Sequence, residues 1–453
     1  MYQNLHFIAI GGSVMHQLAI AMHQQGVAVS GSDDAIFDPA RTNLFNEGLL
    51  PDEFGWFPNK ITAQTDAVIL GMHARKDNPE LLRAQQLGVP VLPYPEFIYQ
   101  HTAAKKRVVI AGSHGKTTIT AMVMHVLRHC GYAFDYLVGA AVSGFNQSVA
   151  LTAYAPIIVI EGDEYLASPI HPLPKFLYYK PHIALLSGIA WDHINVFPTF
   201  NEYVQQFEQF VATIQPGGSL VYYAGDGLLS QIAATCAGVT LLPYQTPNYE
   251  VVNHTWRLRQ HNQLYPLQIF GEHNLQNLMG AKLVCNQLGI PDEQFMQAIQ
   301  LFTGAARRLE LLAKSANCSV YKDFAHAPSK ALATTRALKQ MYPAHKLIAC
   351  LELHTYSSLS AHFLNQYAHT LNEADEALVF YDPQALAIKK LPPVSKQDIE
   401  HSFNHPNLTV FTQPTHLENY LLNQSYNQTN LLLMSSGNFG GINLNKIANF
   451  ATS

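Results

Sequence analysis

The chain of 453 residues is too long for one hydrophobic core and suggests two to four domains, three being a comfortable number. Apolar residues make up 48% and charged residues only 13%, which excludes extended disorder. A net charge of −5, with 27 lysines and arginines spread through the chain, excludes the basic tract of a nucleic-acid binder.

Five cysteines, Cys130, Cys236, Cys285, Cys318 and Cys350, are widely spaced and form no C-x-x-C pair. They read as reduced core thiols of a cytoplasmic protein, neither a zinc cage nor a disulfide framework. The N-terminus MYQNLHFIAIGG lacks the pattern of a signal peptide, and no apolar run is long enough to span a membrane, so no membrane insertion is expected.

In chain order, Leu5 to Ile10 is apolar and followed by Gly11 and Gly12, Met15 to Gln25 has helical spacing, and Val27 to Val29 is strand-like. This is a β-α-β opening. Ser32 and Asp33 follow, roughly where a dinucleotide fold keeps its ribose-binding acid. The G-x-G-x-x-G fingerprint is degraded to Ala9, Gly11, Gly12 and Met15. Ala67 to Leu70 is another strand, with His73 just past its C-terminal end, the edge at which open α/β sheets place ligands. The polar segment Gln100 to Lys106 marks the first boundary and closes a domain of residues 1–104.

Arg107 to Thr118, RVVIAGSHGKTT, joins the apolar run Val108 to Ile110 to a glycine-lysine-threonine turn and then to a helical pattern through Ile119, Met122, Val123 and Val126. Gly112, Ser113, His114, Gly115, Lys116, Thr117 and Thr118 therefore read as a phosphate-binding loop. Backbone N–H groups wrap the phosphates at a helix N-terminus, Lys116 reaches the terminal phosphates and the Thr117 hydroxyl serves Mg²⁺. The alternative is an ordinary helix-capping turn.

Downstream, Ile157 to Ile160 ends in Glu161, Gly162, Asp163 and Glu164, while Ile183 to Leu186 leads to Trp191, Asp192 and His193. These acids and the histidine either converge on a divalent ion beside the loop or form a helix N-cap cluster and a surface histidine; spacing leaves the two level. Asn274 reads as a helix N-cap and Asn277 as an exposed amide. The second boundary falls near Leu301 to Ala306, giving a second domain of residues 105–303 and a third of 304–453. In the third, Ser319 to Lys322 runs into Asp323, and further strands lie at Leu347 to Leu351, Ala377 to Phe380 and Leu431 to Met434. The expected fold is α/β in three domains: a Rossmann-like domain, a central P-loop ATPase-type parallel sheet, and a second Rossmann-like domain.

GSHGKTT resembles the phosphate loop of the Mur ligase superfamily, ATP-dependent enzymes that join amino acids or peptides to UDP-N-acetylmuramic acid. Other motifs follow in order: HFIAIGGSVM resembles H-x-x-G-I-G-G-x-x-M, IEGDE resembles E-A-D-E, WDH resembles D-H, GEHNLQN resembles G-x-H-N-x-x-N, and DFAHAP resembles D-D-[YF]-[GA]-H-H-P. Departures stand at Ala9, Lys322 and Ala327.

The resemblance implies an amide ligase that uses ATP and Mg²⁺ and works through an acyl-phosphate. It implies a UDP-sugar site at Gly11, Gly12, Ser13, Met15, Ser32, Asp33 and His73. Thr117, Glu161 and His193 become metal ligands, and Asn274 and Asn277 adenine contacts. Asp323 is expected at the ATP ribose, Arg308 at the ATP phosphates and His326 near the reaction centre, completing a catalytic set of Lys116, Glu161, His193, Arg308 and His326. Three stretches, EGDEYLASPIHPLPKF, LELHTYSSLS and MSSGNFGGI, resemble members that use the murein tripeptide L-alanyl-γ-D-glutamyl-meso-diaminopimelate more than those that use L-alanine. Such enzymes are expected as a monomer or weak dimer. Two other readings are less complete: a nicotinamide-dependent oxidoreductase leaves GSHGKTT without a role, and a regulatory ATPase leaves the third domain without one.

Overall fold

The computed structural model describes residues 2–72, 74–140, 142–260, 263–305 and 308–453. His73 lies outside the described residues. The chain has a three-domain α/β fold in which parallel strands dominate the sheets.

Strands β1 (Asn4–Ile8), β2 (Ala28–Ser32), β3 (Ala67–Leu70) and β4 (Val91–Pro93) form a parallel sheet in the order β2-β1-β3-β4. The run Ala67 to Leu70 is buried at every position, as a strand covered on both faces must be.

The central sheet contains β5 (Lys106–Ala111), β6 (Asp135–Leu137), β7 (Val149–Ala150), β8 (Ile157–Glu161), β9 (Ile183–Leu186), β10 (Ser219–Tyr223) and β11 (Thr240–Tyr244). Their order is β11-β10-β9-β5-β8-β6-β7, parallel apart from β7. β5 lies between β8 and β9, so three C-terminal ends stand side by side. That neighbourhood brings the glycine-lysine-threonine loop, the acids after β8 and the Ser187-Gly188 turn after β9 to one edge.

A small antiparallel sheet, β12 (Tyr249–Val252), β13 (Thr255–Gln260) and β14 (Gln263–Leu267), has no counterpart among the sequence expectations. It is anchored by buried Trp256, which stacks on Tyr249 with ring centroids 4.7 Å apart.

The last sheet contains β15 (Glu310–Lys314), β16 (Ser319–Asp323), β17 (Lys346–Glu352), β18 (Glu376–Phe380), β19 (Leu408–Phe411) and β20 (Thr429–Met434). The order is β15-β16-β20-β17-β18-β19, parallel apart from β15. Val320, Ile348, Leu378, Leu431 and Leu433 meet Leu417, Leu421 and Ile447 of two covering helices in one core. Each such side chain contributes ~1.5–3 kcal/mol on burial.

By packing, the chain divides into two compact units. One gathers Met1–Ile189, Val204–Tyr244 and Gly280–Ala298, with the first two sheets; the other gathers Ala190–Tyr203, Gln245–Met279 and Ile299–Ser453, with the remaining two. Three of the outermost strands, β4, β11 and β14, carry prolines, Pro93, Pro243 and Pro266. Among the described residues no helix is long and apolar enough to cross a membrane. The five cysteines are free thiols, three of them buried.

Candidate active site

In the first unit, β5 ends at Ala111 and the helix Lys116–His129 begins after four intervening residues. Gly112 has φ +110° and Gly115 φ +64°, the left-handed region that favours glycine. Gly112 is also crowded: a Cβ there would lie 2.5 Å from Ser187 Oγ and 2.7 Å from Ser187 N. The loop is tied down by Ser113 N–H donating to Gly188 O at 2.8 Å and by the Ser187 hydroxyl donating to His114 O. No side chain caps the helix, so the capping-turn alternative lacks its cap. Unpaired N–H groups of the first turn are what a phosphate binds.

The acids after β8 cap no helix either, because residues 162–164 are irregular. They meet the loop instead. Lys116 Nζ lies 2.7 Å from Glu164 Oε2 and donates to Gly112 O at 2.9 Å. Thr117 Oγ1 donates to Glu161 Oε1 at 2.8 Å, and Glu161 Oε2 accepts Gly139 N–H at 2.8 Å. Asp163 pairs with Lys175 at 2.6 Å. Burial pulls the Lys116 ammonium down, but Glu164, Asp163 and Glu161 outweigh it and hold it above the ordinary lysine value. The Thr117 hydroxyl and Glu161 carboxylate are hard oxygen donors side by side, the chemistry that Mg²⁺ takes. Among the described residues no three His, Cys, Asp or Glu side chains are gathered as a metal cage; Mg²⁺ ordinarily uses one or two carboxylates plus phosphate oxygens and water.

The second unit holds another group of the expected residues. His193 has φ +55°, and its N–H donates to Asp192 Oδ1 at 2.8 Å. Asp192 Oδ2 lies 3.8 Å from Lys330 Nζ. Burial raises the Asp192 carboxyl, but Lys330, His193 and His326 outweigh it and hold it well below the usual carboxylate range. His326 donates from Nδ1 to Phe324 O at 2.8 Å, which leaves Nε2 as the acceptor. Burial, helped by Lys330, lowers its pKa to about 4.

Asp323, at the end of β16, accepts Leu309 N–H and Ala325 N–H, both at 2.6 Å. Burial raises its pKa and Arg308 tempers the rise. The Arg308 guanidinium lies over the Phe324 ring at 4.6 Å, and that ring meets His326 edge-on. Arg308, Asp323, His326 and Asp192 thus belong to one connected group.

Two expectations are corrected here. The helix Glu272–Gln287 begins before Asn274, because Gly271 O accepts Leu275 N–H and Gly271 itself caps the helix. Asn274 is therefore inside the first turn, its amide donating to Phe270 O at 2.8 Å. Asn277 is buried, not exposed, and its amide reaches Asn274 Oδ1 at 3.4 Å.

In the first domain, Gly11 N–H donates to Asp33 Oδ2 at 2.8 Å, so this acid closes the glycine turn. Burial pushes the Asp33 carboxyl up to about 6, against the Gly11 N–H. Ser32 is buried in β2, where Lys60 donates to its hydroxyl at 3.3 Å; Met15 is buried in the helix Ser13–Gln24, which Gly12 precedes. Ala9 adopts φ +63°, the conformation a glycine takes freely, at a cost of ~1–2 kcal/mol. The departure from the motif therefore changes the side chain and keeps the turn. Ala327 is the buried residue ahead of the helix Pro328–Met341, and Lys322 sits in β16 opposite Glu310.

The two polar stretches of the third domain meet through Glu352, at the end of β17. Its Oε2 accepts the Ser435 hydroxyl and, at 2.8 Å, Phe439 N–H. Gly437 is needed where it stands, since a Cβ would lie 2.9 Å from Glu352 Oε2. Glu352, Lys330 and Ser187 were not singled out by sequence. Glu352 and Ser187 do stand at or just past strand C-termini, the one signal available.

Family models match the chain in three parts: "Mur ligase family, catalytic domain" at residues 4–106, "Mur ligase middle domain" at 110–285 and "Mur ligase, glutamate ligase domain" at 307–437. A UDP-N-acetylmuramate--L-alanine ligase of Arthrobacter sp. (strain FB24) is 31% identical over 83% of this chain and 80% of its own. A UDP-N-acetylmuramate--L-alanyl-gamma-D-glutamyl-meso-2,6-diaminoheptandioate ligase of Escherichia coli (strain K12) is 27% identical over 97% and 96%. The solved structure of a murein peptide ligase from Psychrobacter arcticus 273-4 shares the fold, with TM-score 0.68 and 21% identity over 99% of both chains.

Proposed function

The chain belongs to the Mur ligase family and is an ATP-dependent, ADP-forming ligase, and on that premise we propose that it joins L-alanyl-γ-D-glutamyl-meso-diaminopimelate to UDP-N-acetylmuramate. The observation that carries the peptide over L-alanine is the composition of the joined loops at residues 351–360 and 434–442. They offer one buried carboxylate, hydroxyls, an amide and the imidazole of His354, with no lysine or arginine. Free L-alanine brings a carboxylate next to its amine and asks for a cation there; the peptide's first residue has spent that carboxyl in an amide bond.

The proposed roles are these. Residues 1–104 bind the UDP-sugar through Gly11, Gly12, Ser13, Met15, Ser32 and Asp33. Residues 105–303 bind ATP through the loop Gly112 to Thr118, with adenine at Asn274 and Asn277. Residues 304–453 bind the amine and contribute Asp323 for the ribose and Arg308 for phosphate charge. As the family resemblance implies, Thr117, Glu161 and His193 would hold Mg²⁺, which would neutralise phosphate charge. Lys116 stabilises the transferring phosphoryl group. A muramate carboxylate oxygen attacks the γ-phosphorus and ADP leaves; the amine then attacks the acyl-phosphate carbonyl carbon and phosphate leaves. His326, uncharged at neutral pH with Nε2 open, accepts a proton near that attack.

Phosphate release with ATP, Mg²⁺ and UDP-N-acetylmuramate tests the reading, comparing the tripeptide with L-alanine. Turnover with the tripeptide is expected. Turnover with L-alanine alone makes the chain a ligase of de novo peptidoglycan synthesis, and none with either amine removes both.

A further inference from the structure

The Glu352 carboxylate is nearly removed from water, its side chain 4% exposed, yet its two oxygens are treated unequally. Oε2 accepts both the Ser435 hydroxyl and Phe439 N–H. Among the described residues, no donor hydrogen-bonds Oε1; His354 Nδ1 lies 3.8 Å away, beyond hydrogen-bond reach. An ionised carboxylate has about four acceptor sites, and those of Oε1 are left to water or to a cation that displaces it. The His354 side chain is 46% exposed, so Oε1 is one side chain from solvent. Next to Ser435, the Ser436 hydroxyl is buried and also lacks a partner among the described residues. A carboxylate oxygen and a hydroxyl in need of partners, at the C-terminal ends of the adjacent strands β17 and β20, suit an ammonium group.

We propose that Glu352 anchors the N-terminal ammonium of the amine substrate, with Oε1 and the Ser436 hydroxyl as its acceptors, before the amine attacks. This rests on the ligase reading above and adds the residue that selects a cationic amine.

The test uses the full chain and two ligands: the tripeptide and its desamino analogue propionyl-γ-D-glutamyl-meso-diaminopimelate. The wild type is expected to bind the analogue at least about tenfold more weakly. Glu352→Gln is expected to raise KM for the tripeptide by about tenfold or more while leaving KM for ATP and UDP-N-acetylmuramate within about twofold, and to bind both peptides alike. Glu352→Asp, which keeps the charge, recovers part of the loss. Ser435→Ala separates anchoring from loop support, since it cuts the tie between the loops and keeps the carboxylate. An equal loss in Ser435→Ala and Glu352→Gln overturns the proposal, and so does an unchanged tripeptide KM in Glu352→Gln. If the Gln variant does not fold, the wild-type comparison decides: equal binding of the two peptides overturns the proposal, weaker binding of the analogue supports it. Wild-type turnover with L-alanine alone removes the peptide reading instead, and L-alanine against propionate then replaces the ligand pair.

Discussion

The Lys116 ammonium of the phosphate loop is held 2.7 Å from the Glu164 carboxylate, with both groups largely shielded from water. Each partner compensates the other's desolvation, so removing one strands the other. Lys116→Ala is therefore expected to cost about 3 kcal/mol of stability and to lower turnover by about 10²–10³-fold. Adding Glu164→Gln to Lys116→Ala should restore most of the stability and none of the turnover. Urea unfolding and phosphate release measure the two effects separately. Normal turnover in Lys116→Ala would sink the assignment of the loop.

A second expectation concerns the first domain. A Cβ on Gly71 would lie 3.0 Å from both Ala9 Cβ and Ile8 O. Gly71→Ala should destabilise the protein by about 1–3 kcal/mol. Ala9→Gly should recover part of that, by clearing the side-chain clash and relieving the positive φ, while Ile8 O remains in the way. Strictly additive effects of the two substitutions in chemical unfolding would show that the residues do not communicate.

Gly112 makes the contrasting case. A Cβ there meets Ser187 N, a backbone atom, as well as the Ser187 hydroxyl. Gly112→Ala should abolish measurable ATP-dependent turnover and cost about 1–3 kcal/mol from the φ of +110° alone. Ser187→Gly should not rescue it. Recovery of phosphate release in the double variant would contradict the crowding described.

Much of this was legible in the chain. The loop and the acids after β8 could be read because each sits at the end of an apolar run, where a sheet presents residues to ligands. The helix start at Glu272 was not, since a left-handed Gly271 overrode the capping propensity of the asparagine three residues on. The sheet β12–β14 escaped because Arg257, Arg259 and Pro266 interrupt the apolar residues of its strands. Glu352 lies inside the stretch LELHTYSSLS without standing out there; its significance depends on Ser435 and Phe439, more than eighty residues away in sequence.

The acid–base behaviour of His326 follows from its burial. Its pKa of about 4 lies below the ordinary 6.5, so the unfolded chain binds this proton more readily than the folded one. The contribution to stability is whole above pH about 6.5 and drains away as the pH falls towards about 4. His326→Gln should lose less stability than the wild type between pH 7 and pH 4.5, a difference of about 1–2 kcal/mol in urea unfolding. A parallel decline in both proteins would mean that the imidazole titrates normally.

The prolines of β4, β11 and β14 bear on how this protein behaves when crowded. Each lies on an outermost strand, and a proline there offers a would-be partner strand no N–H. Those three borders thus resist being extended by a neighbour's backbone, the route by which sheets grow into fibrils or exchange strands between copies. Chains at high concentration, or emerging together from ribosomes, are steered away from sheet-to-sheet pairing at these borders and toward reversible contacts between side chains.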